Sequence, residues 1–358
     1  MQVFCDGNNV WYCPSKFIIG QQNKELHNVL NNNNRIGNFF KLSTSTFTPT
    51  IKQVFHGKDY AICLDYEGNI YGFGFNNLCQ LGLYDEVTYN WNSNCEGPIF
   101  FLPRKIEMNE PIREIYCGST FTICVGNSGK IYFFGNSSSE DGFGCNNLQY
   151  AAPEIMNIPD NEEVDFIYCG NEEAIIKTID NKFYRFDFDF LRFNDSLKIL
   201  KWKFPNNVIS MCNDGKVLLT KDGSAYCAIQ GRIGEFMKIA GLPKIEKIIY
   251  EYENIFCIDQ NYDLWSCYYE GNRRYNIFCI SHKYTNLSNI VEISGQNGTI
   301  YVKTFDGYIF AFGNNDNGQI IPNGKKFYNY HEAIRIFKEN ENIWKTTNHQ
   351  NKMKSARK

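Results

Sequence analysis

Residues 67–74 read EGNIYGFG, a turn pair followed by a run of apolar and aromatic residues broken by glycine. The plan recurs as DGNNVWYC from Asp6, SGKIYFFG from Ser128, DNKFYRFD from Asp180, DGSAYCAI from Asp222, QNYDLWSC from Gln260 and DGYIFAFG from Asp306. Gly and Asn tolerate the positive φ of a tight connection, so each copy predicts a β-hairpin. The second turn residues are Gly7, Gly68, Gly129, Asn181, Gly223, Asn261 and Gly307. These anchors stand about 50 residues apart on average, the length of one propeller blade.

A second pattern, strand then bend then strand, lies before six of the turns. It runs VFHGKDYAICL from Val54, IYCGSTFTICV from Ile115, IYCGNEEAIIK from Ile167, VISMCNDGKVLL from Val208, IIYEYENIFCI from Ile248 and VEISGQNGTIYV from Val291. Gly57, Gly118, Gly170 and Gly295 suit a place where chains converge and no side chain fits. The first turn has only six residues before Gly7, too few for such a unit. At the other end, IRIFKENENIWKT from Ile334 aligns with KIIYEYENIFCID from Lys247. The expectation is an all-β, seven-bladed propeller in one domain over residues 1–347, closed by pairing of N- and C-terminal strands. Blade one would be shared by about residues 1–50 and 331–347, and closure removes open sheet edges. Residues 348–358 form a basic C-terminal tail.

The chain has 358 residues, 43% apolar, 16% aromatic and 21% charged. That is enough to bury a core and excludes a largely disordered chain. A net charge of −3 provides no general field for a polyanion, so nucleic acid is expected to bind at most weakly, through the basic tail. MQVFCDGNNVWYC lacks the order of a secretory signal, and no apolar run approaches the roughly 18 residues that span a bilayer. No membrane association and a cytoplasmic or nuclear location are expected. Fourteen cysteines occur without any CxxC, and His27, His56, His282, His331 and His349 are scattered, so no metal site is expected. Cys63, Cys117, Cys124, Cys169 and Cys257 instead fall at recurring repeat positions, which suits small apolar fillers. No catalytic motif survives comparison with the known patterns, and no cofactor is expected.

The stretch NIYGFGFNNLCQLGL from Asn69 resembles the signature of the regulator of chromosome condensation repeat family, a family of seven-bladed propellers. Gly74, Asn76, Gln80, Leu81 and Gly82 match, and Cys79 stands where a Gly is expected. YIFAFGNNDNGQI from Tyr308 matches at Gly313, Asn315, Gly318 and Gln319, and the third copy keeps Gly135. The family's inner-strand His, three residues after the inner Gly, is replaced by Tyr60, Phe121 and Glu173.

The resemblance implies a monomeric protein-interaction module that regulates a protein partner. Long insertions at about 19–50, 76–111 and 136–163 are the candidate contact loops. In the second, Tyr89, Trp91 and Arg104 are residue types that make interface hot spots. Family members that exchange guanine nucleotide on the small GTPase Ran use an acidic wedge after the aromatic-Gly of the third blade. The resemblance therefore points to Ser139, Glu140, Asp141 and Gly142 as a candidate wedge, and to a Ran-like GTPase as a candidate partner.

Overall fold

The computed structural model describes residues 2–6, 9–13, 35–36, 39–41, 49–83, 99–135, 152–170, 173–187, 197–229, 232–251, 254–269, 278–284, 286–296, 298–316, 320, 326–328 and 333–338. Nearly all of its regular structure is strand, in seven separate antiparallel sheets. Six follow one plan, with successive strands hydrogen-bonded in chain order. The second sheet shows it: Ile51–His56, Tyr60–Asp65, Ile70–Phe75 and Ile99–Ile106. The third to seventh sheets begin at Ile112, Val164, Val208, Ile245 and Ile290. The protein is an all-β propeller. Contacts group its sheets into two compact units, the first four within residues 1–199 and the last three within 200–341.

The expectation of seven equivalent blades is corrected to six regular ones. The N-terminal sheet, made of Gln2–Asp6, Asn9–Cys13, Arg35–Ile36 and Phe39–Lys41, places its fourth strand between its second and third. Among the described residues, Gln2–Asp6 pairs only with Asn9–Cys13. The place of Ile334–Lys338 is corrected as well: it lies not in blade one but in the seventh sheet, where Ile334 faces Ala311 and Arg335 faces Phe310. The reason is backbone satisfaction. Phe327–Tyr328 pairs with Tyr308–Asn314 only at Gly313 and Asn314, and Ile334–Lys338 pairs along the rest of that edge, from Tyr308 to Ala311. Residues 339–347 of the expected closing segment lie outside the described residues.

Two of the hairpin turns are set by an aspartate at the end of the preceding strand. The Asp65 carboxylate accepts the backbone N–H groups of Glu67 (2.9 Å) and Asn69 (2.8 Å), and Asp259 does the same for Asn261 (2.8 Å) and Asp263 (2.9 Å). Positive φ falls at Gly68, Gly129, Asn181, Gly223 and Gly307. In the sixth copy it falls at Tyr262 and not at Asn261, since Asp259 fixes the turn one residue further on than the turn composition suggests. The turn carbonyl then clips the next sheet. Gly68, Gly223 and Tyr262 each accept the N–H of the following first strand, at Ile112, Ile245 and Ile290, all at 2.8 Å.

The second strand of a blade is buried on both faces, as in Tyr60–Asp65 and Phe121–Gly126, which explains why these strands read as apolar runs without alternation. Their side chains build cores shared by neighbouring sheets. Phe55, Ile62 and Leu64 join Ile115, Cys124 and Phe134; Phe121 and Phe133 join Ile176 and Phe186. Four cysteines, Cys212, Cys227, Cys257 and Cys267, sit in one such core. Burial pushes the Cys117 and Cys227 thiols up to about 12, so they are neutral space-fillers at physiological pH.

Tyr60 ties the second sheet to the third. Its ring lies over Gly57, where an added Cβ would stand 2.0 Å from Tyr60 Cε1, and Phe121 covers Gly118 in the same way at 2.1 Å. The Tyr60 hydroxyl donates to the Phe121 carbonyl and lies 3.2 Å from that of Gly118. Thr122 Oγ1 stands 3.2 Å from that hydroxyl and donates to the Gln80 carbonyl at 2.9 Å. Tyr60→Phe keeps the ring but removes the hydroxyl's bond to the Phe121 carbonyl, which retains the Gly118 N–H, and is expected to cost about 0.5–1.5 kcal/mol. Guanidinium unfolding checks this: the midpoint should fall at unchanged slope, and an unchanged midpoint would remove the tie from this account.

Candidate interaction surfaces

The loop after Gly74 is held by two buried amides. Asn76 Oδ1 accepts the Leu81 N–H (2.8 Å) while its Nδ2 donates to the Leu83 carbonyl (2.8 Å). Gln80 Oε1 accepts the Leu78 N–H (2.8 Å), and its Nε2 donates to Asn77 (3.1 Å). Cys79 has φ +61° and Gly82 φ +60°, the latter against the Phe134 ring of the third sheet. The seventh sheet repeats the device: Asn315 Oδ1 accepts the Ile320 N–H at 2.7 Å over the same five-residue span. Gly74, Gly135 and Gly313 close their strands at φ +103°, +100° and +99°. At Gly135 an added Cβ would lie 2.6 Å from the Thr120 carbonyl oxygen. Gly318 and Gln319 lie outside the described residues.

Of the expected contact residues, Arg104 is exposed on the outer strand of the second sheet, opposite Gly72, with its guanidinium 4.4 Å from the centre of the Phe100 ring. Tyr89 and Trp91 lie outside the described residues, as do Ser139, Glu140, Asp141 and Gly142. The structure therefore places Arg104 on a strand.

Carboxylates of the fourth sheet are paired within it. Lys182 bridges Glu162, Lys177 bridges Asp165 (2.5 Å) and Arg185 approaches Glu173 (3.5 Å). Lys182 holds the Glu162 carboxyl below its ordinary range. In the third sheet Glu110 accepts the Ser128 N–H (2.6 Å) and hydroxyl (2.5 Å) and the Tyr132 hydroxyl (2.9 Å), and the Ser128 bonds pull its carboxyl below the ordinary range. Among the described residues, no group of three or more His, Cys, Asp or Glu is placed to hold a metal ion. No helix among them is long and apolar enough to cross a membrane.

Sequence reasoning missed two sets of exposed groups. Tyr66, Ile179 and Phe305 occupy one equivalent turn position and are 65%, 58% and 60% exposed. Tyr262 meets Phe305 edge-on at 4.6 Å. The signal was an apolar residue between strand end and turn in YEGN, IDNK and FDGY, where a polar one is the rule. The second set surrounds Trp202, which packs with Phe204 (5.6 Å) and Phe236 (6.1 Å) beside Ile233. Its signal was the string KWKF from Lys201, cations interleaved with aromatics.

Glu251 lies largely buried in the sixth sheet and accepts the Gly298 N–H at 2.6 Å. Burial raises its carboxyl above the ordinary range. Its contribution to stability is thus complete below the carboxyl's unfolded-state value and is lost as pH rises through the higher folded one. Glu251→Gln keeps the acceptor without the charge. Urea midpoints should therefore favour the variant at pH 7 and converge with the parent near pH 4, and a constant difference would reject burial as the cause.

The profile of the Regulator of chromosome condensation (RCC1) repeat matches residues 67–125. The chain is 26% identical over 140 residues to Regulator of chromosome condensation of Xenopus laevis, which covers 39% of this chain and 31% of that protein. It is 28% identical over 144 residues to the Ultraviolet-B receptor UVR8 of Arabidopsis thaliana (39% and 30%). It is 25% identical over 268 residues to an RCC1 repeat-containing protein of Dictyostelium discoideum (72% and 49%). The matched region spans at most 49% of these relatives' own length. Among solved structures, human WBSCR16 superposes with a TM-score of 0.62 at 13% identity over 84% of each chain. Prp20p of Saccharomyces cerevisiae, studied for its binding to Gsp1p and histones, gives 0.62 at 12% identity over 80% of this chain and 77% of that one. At these identities the likeness to the two structures shows the fold.

Proposed function

We propose that the chain, a propeller whose residues 67–125 match the regulator of chromosome condensation repeat, is a protein-interaction module that regulates a partner protein. The observation that carries this reading is the set of exposed apolar side chains held on rigid sheets. Tyr66, Ile179, Ile233 and Phe305 each leave more than half of their surface in water. Residues on turns and edges of a stable scaffold bind without further ordering, which spares affinity the entropy cost of a floppy loop. We place the module in the cytoplasm or nucleus as a monomer. Affinity capture from native extract should enrich one partner over a heat-denatured control of the same protein. Equal recovery from both would sink the reading.

Guanine-nucleotide exchange on a Ran-like GTPase is the second reading. It is favoured by the buried Phe134 and the strand-ending Gly135 of the third sheet, after which Ser139, Glu140, Asp141 and Gly142 follow in sequence. Prp20p, similar in fold, binds Gsp1p. An intruding carboxylate would compete with nucleotide phosphates for the GTPase's lysine and magnesium, lowering nucleotide affinity without covalent chemistry. A Ran-type GTPase loaded with a fluorescent guanine nucleotide should release it faster on addition of this protein, and Asp141→Ala should slow that release. No acceleration by the parent protein would exclude exchange.

A further inference from the structure

The fifth sheet, made of Val208–Cys212, Val217–Thr220, Ala225–Ala228 and Phe236–Lys238, differs in charge from the rest of the chain. The whole protein carries −3, yet residues 201–244 hold seven basic and three acidic side chains. This basic segment surrounds an aromatic cluster at the outer edge of the sheet.

The cluster is built, not incidental. Phe204 and Phe236 stack at 5.3 Å with an interplanar angle of 25°, and Trp202 packs against both. Trp202 lies on Gly234, where an added Cβ would meet the indole at 2.5 Å, and the Gly234 carbonyl accepts the Lys203 N–H at 2.7 Å. The segment from Lys201 is thereby fastened to the loop that carries Arg232 and Ile233. A single carboxylate, Glu235, gathers two cations. Lys203 Nζ lies at 2.7 Å and Arg232 Nη1 at 3.5 Å, with the side chains of Lys203 and Arg232 79% and 69% exposed. Lys238, two residues beyond Phe236 on the strand, shares its face. Ile233 projects beside these cations with 91% of its surface in water.

We propose that this edge of the fifth blade docks an acidic peptide segment of a partner protein. An apolar side chain of the segment covers Ile233 and the rim of the ring cluster, while its carboxylates engage Arg232 and Lys203, the two cations that Glu235 holds side by side. The inference rests on the interaction-module reading and names the site and the chemistry that reading leaves open. Two observations favour a peptide over a nucleic acid. The projecting group is aliphatic and offers no face on which a base could stack, and the three rings are already packed on one another. Beyond this edge, the net negative charge of the chain repels a long phosphate backbone but not a short segment.

The test uses the full chain and three fluorescein-labelled probes: a Glu-Glu-Leu-Phe-Glu-Glu peptide, its Lys-for-Glu counterpart, and an oligo-dT. Fluorescence anisotropy should show binding of the acidic peptide, weakening with salt, and none of the basic one. Ile233→Asp and Arg232→Glu, both at exposed positions where the fold is indifferent, should each weaken that binding by about tenfold or more. Peptide binding unaltered by Ile233→Asp overturns the proposal, as does no binding by the parent. Oligo-dT binding as tight as the peptide's, lost in Arg232→Glu and kept in Ile233→Asp, overturns it in favour of a polyanion site. Affinity capture with Ile233→Asp separates the two levels: an unchanged partner sinks this site and leaves the module reading standing, whereas no partner for the parent sinks that reading itself.

Discussion

The close approach of Tyr60 to Gly57 is the contact on which the central part of the described structure depends. With hydrogen as its only side chain, Gly57 lets the ring lie flat over the backbone, and this carries the hydroxyl across to the Phe121 carbonyl of the next sheet. Phe121 covers Gly118 by the same geometry, and Phe133 beyond it meets Phe186 of the fourth sheet at 5.2 Å. In the second and third blades, one small residue thus lets neighbouring sheets share a core. The matching device at the outer ends is the turn carbonyl that accepts the N–H of the following strand. Between these two ends, the second strand of each blade is dry on both faces, which is why apolar area, not hydrogen bonding alone, dominates its stability.

Rigidity gained in this way is what makes the exposed groups informative. An apolar side chain on a loose loop can turn inward. Tyr66, Ile179 and Phe305 are held outward, because each stands in a hairpin turn closed by a backbone bond, from Gly68 to Asp65, Asn181 to Thr178 and Gly307 to Thr304. The Trp202 cluster is anchored by backbone as well, through Gly234. Charge follows a different logic in the fourth and fifth sheets. The acidic groups of the fourth pair within the blade, while the cations of the fifth outnumber their carboxylates and remain at the surface.

Much of the blade was legible in the residues themselves. The turn copies from Glu67, Ser128 and Asp306 sit in hairpins, and the inner strands fall where VFHGKDYAICL and IYCGSTFTICV were read. Asn76 and Asn315, singled out by a family resemblance, close equivalent loops in two sheets. The sixth copy was misread by one residue, because a turn's register is chosen by the carboxylate that caps it, and Asp259 precedes the Asn that drew attention. Arg104 was found by residue type, but Trp202 and Ile233 were not, since their significance lies in being adjacent and uncovered, which no single string displays.

By itself the sequence determined the class: repeated turn dipeptides with positive φ, flanked by apolar runs of strand length, admit little besides a propeller of antiparallel blades. Only the tertiary structure decided how the ends are used. Ile334–Lys338 matches an inner strand in letters as well as an outer one, because both are short apolar-polar runs with the same period of two. The choice fell to the outer edge of Tyr308–Ala311, along which Ile334–Lys338 pairs in the fold and which is invisible in the chain. Pattern specifies which residues form strands, and unsatisfied hydrogen bonds specify which strand lies beside which.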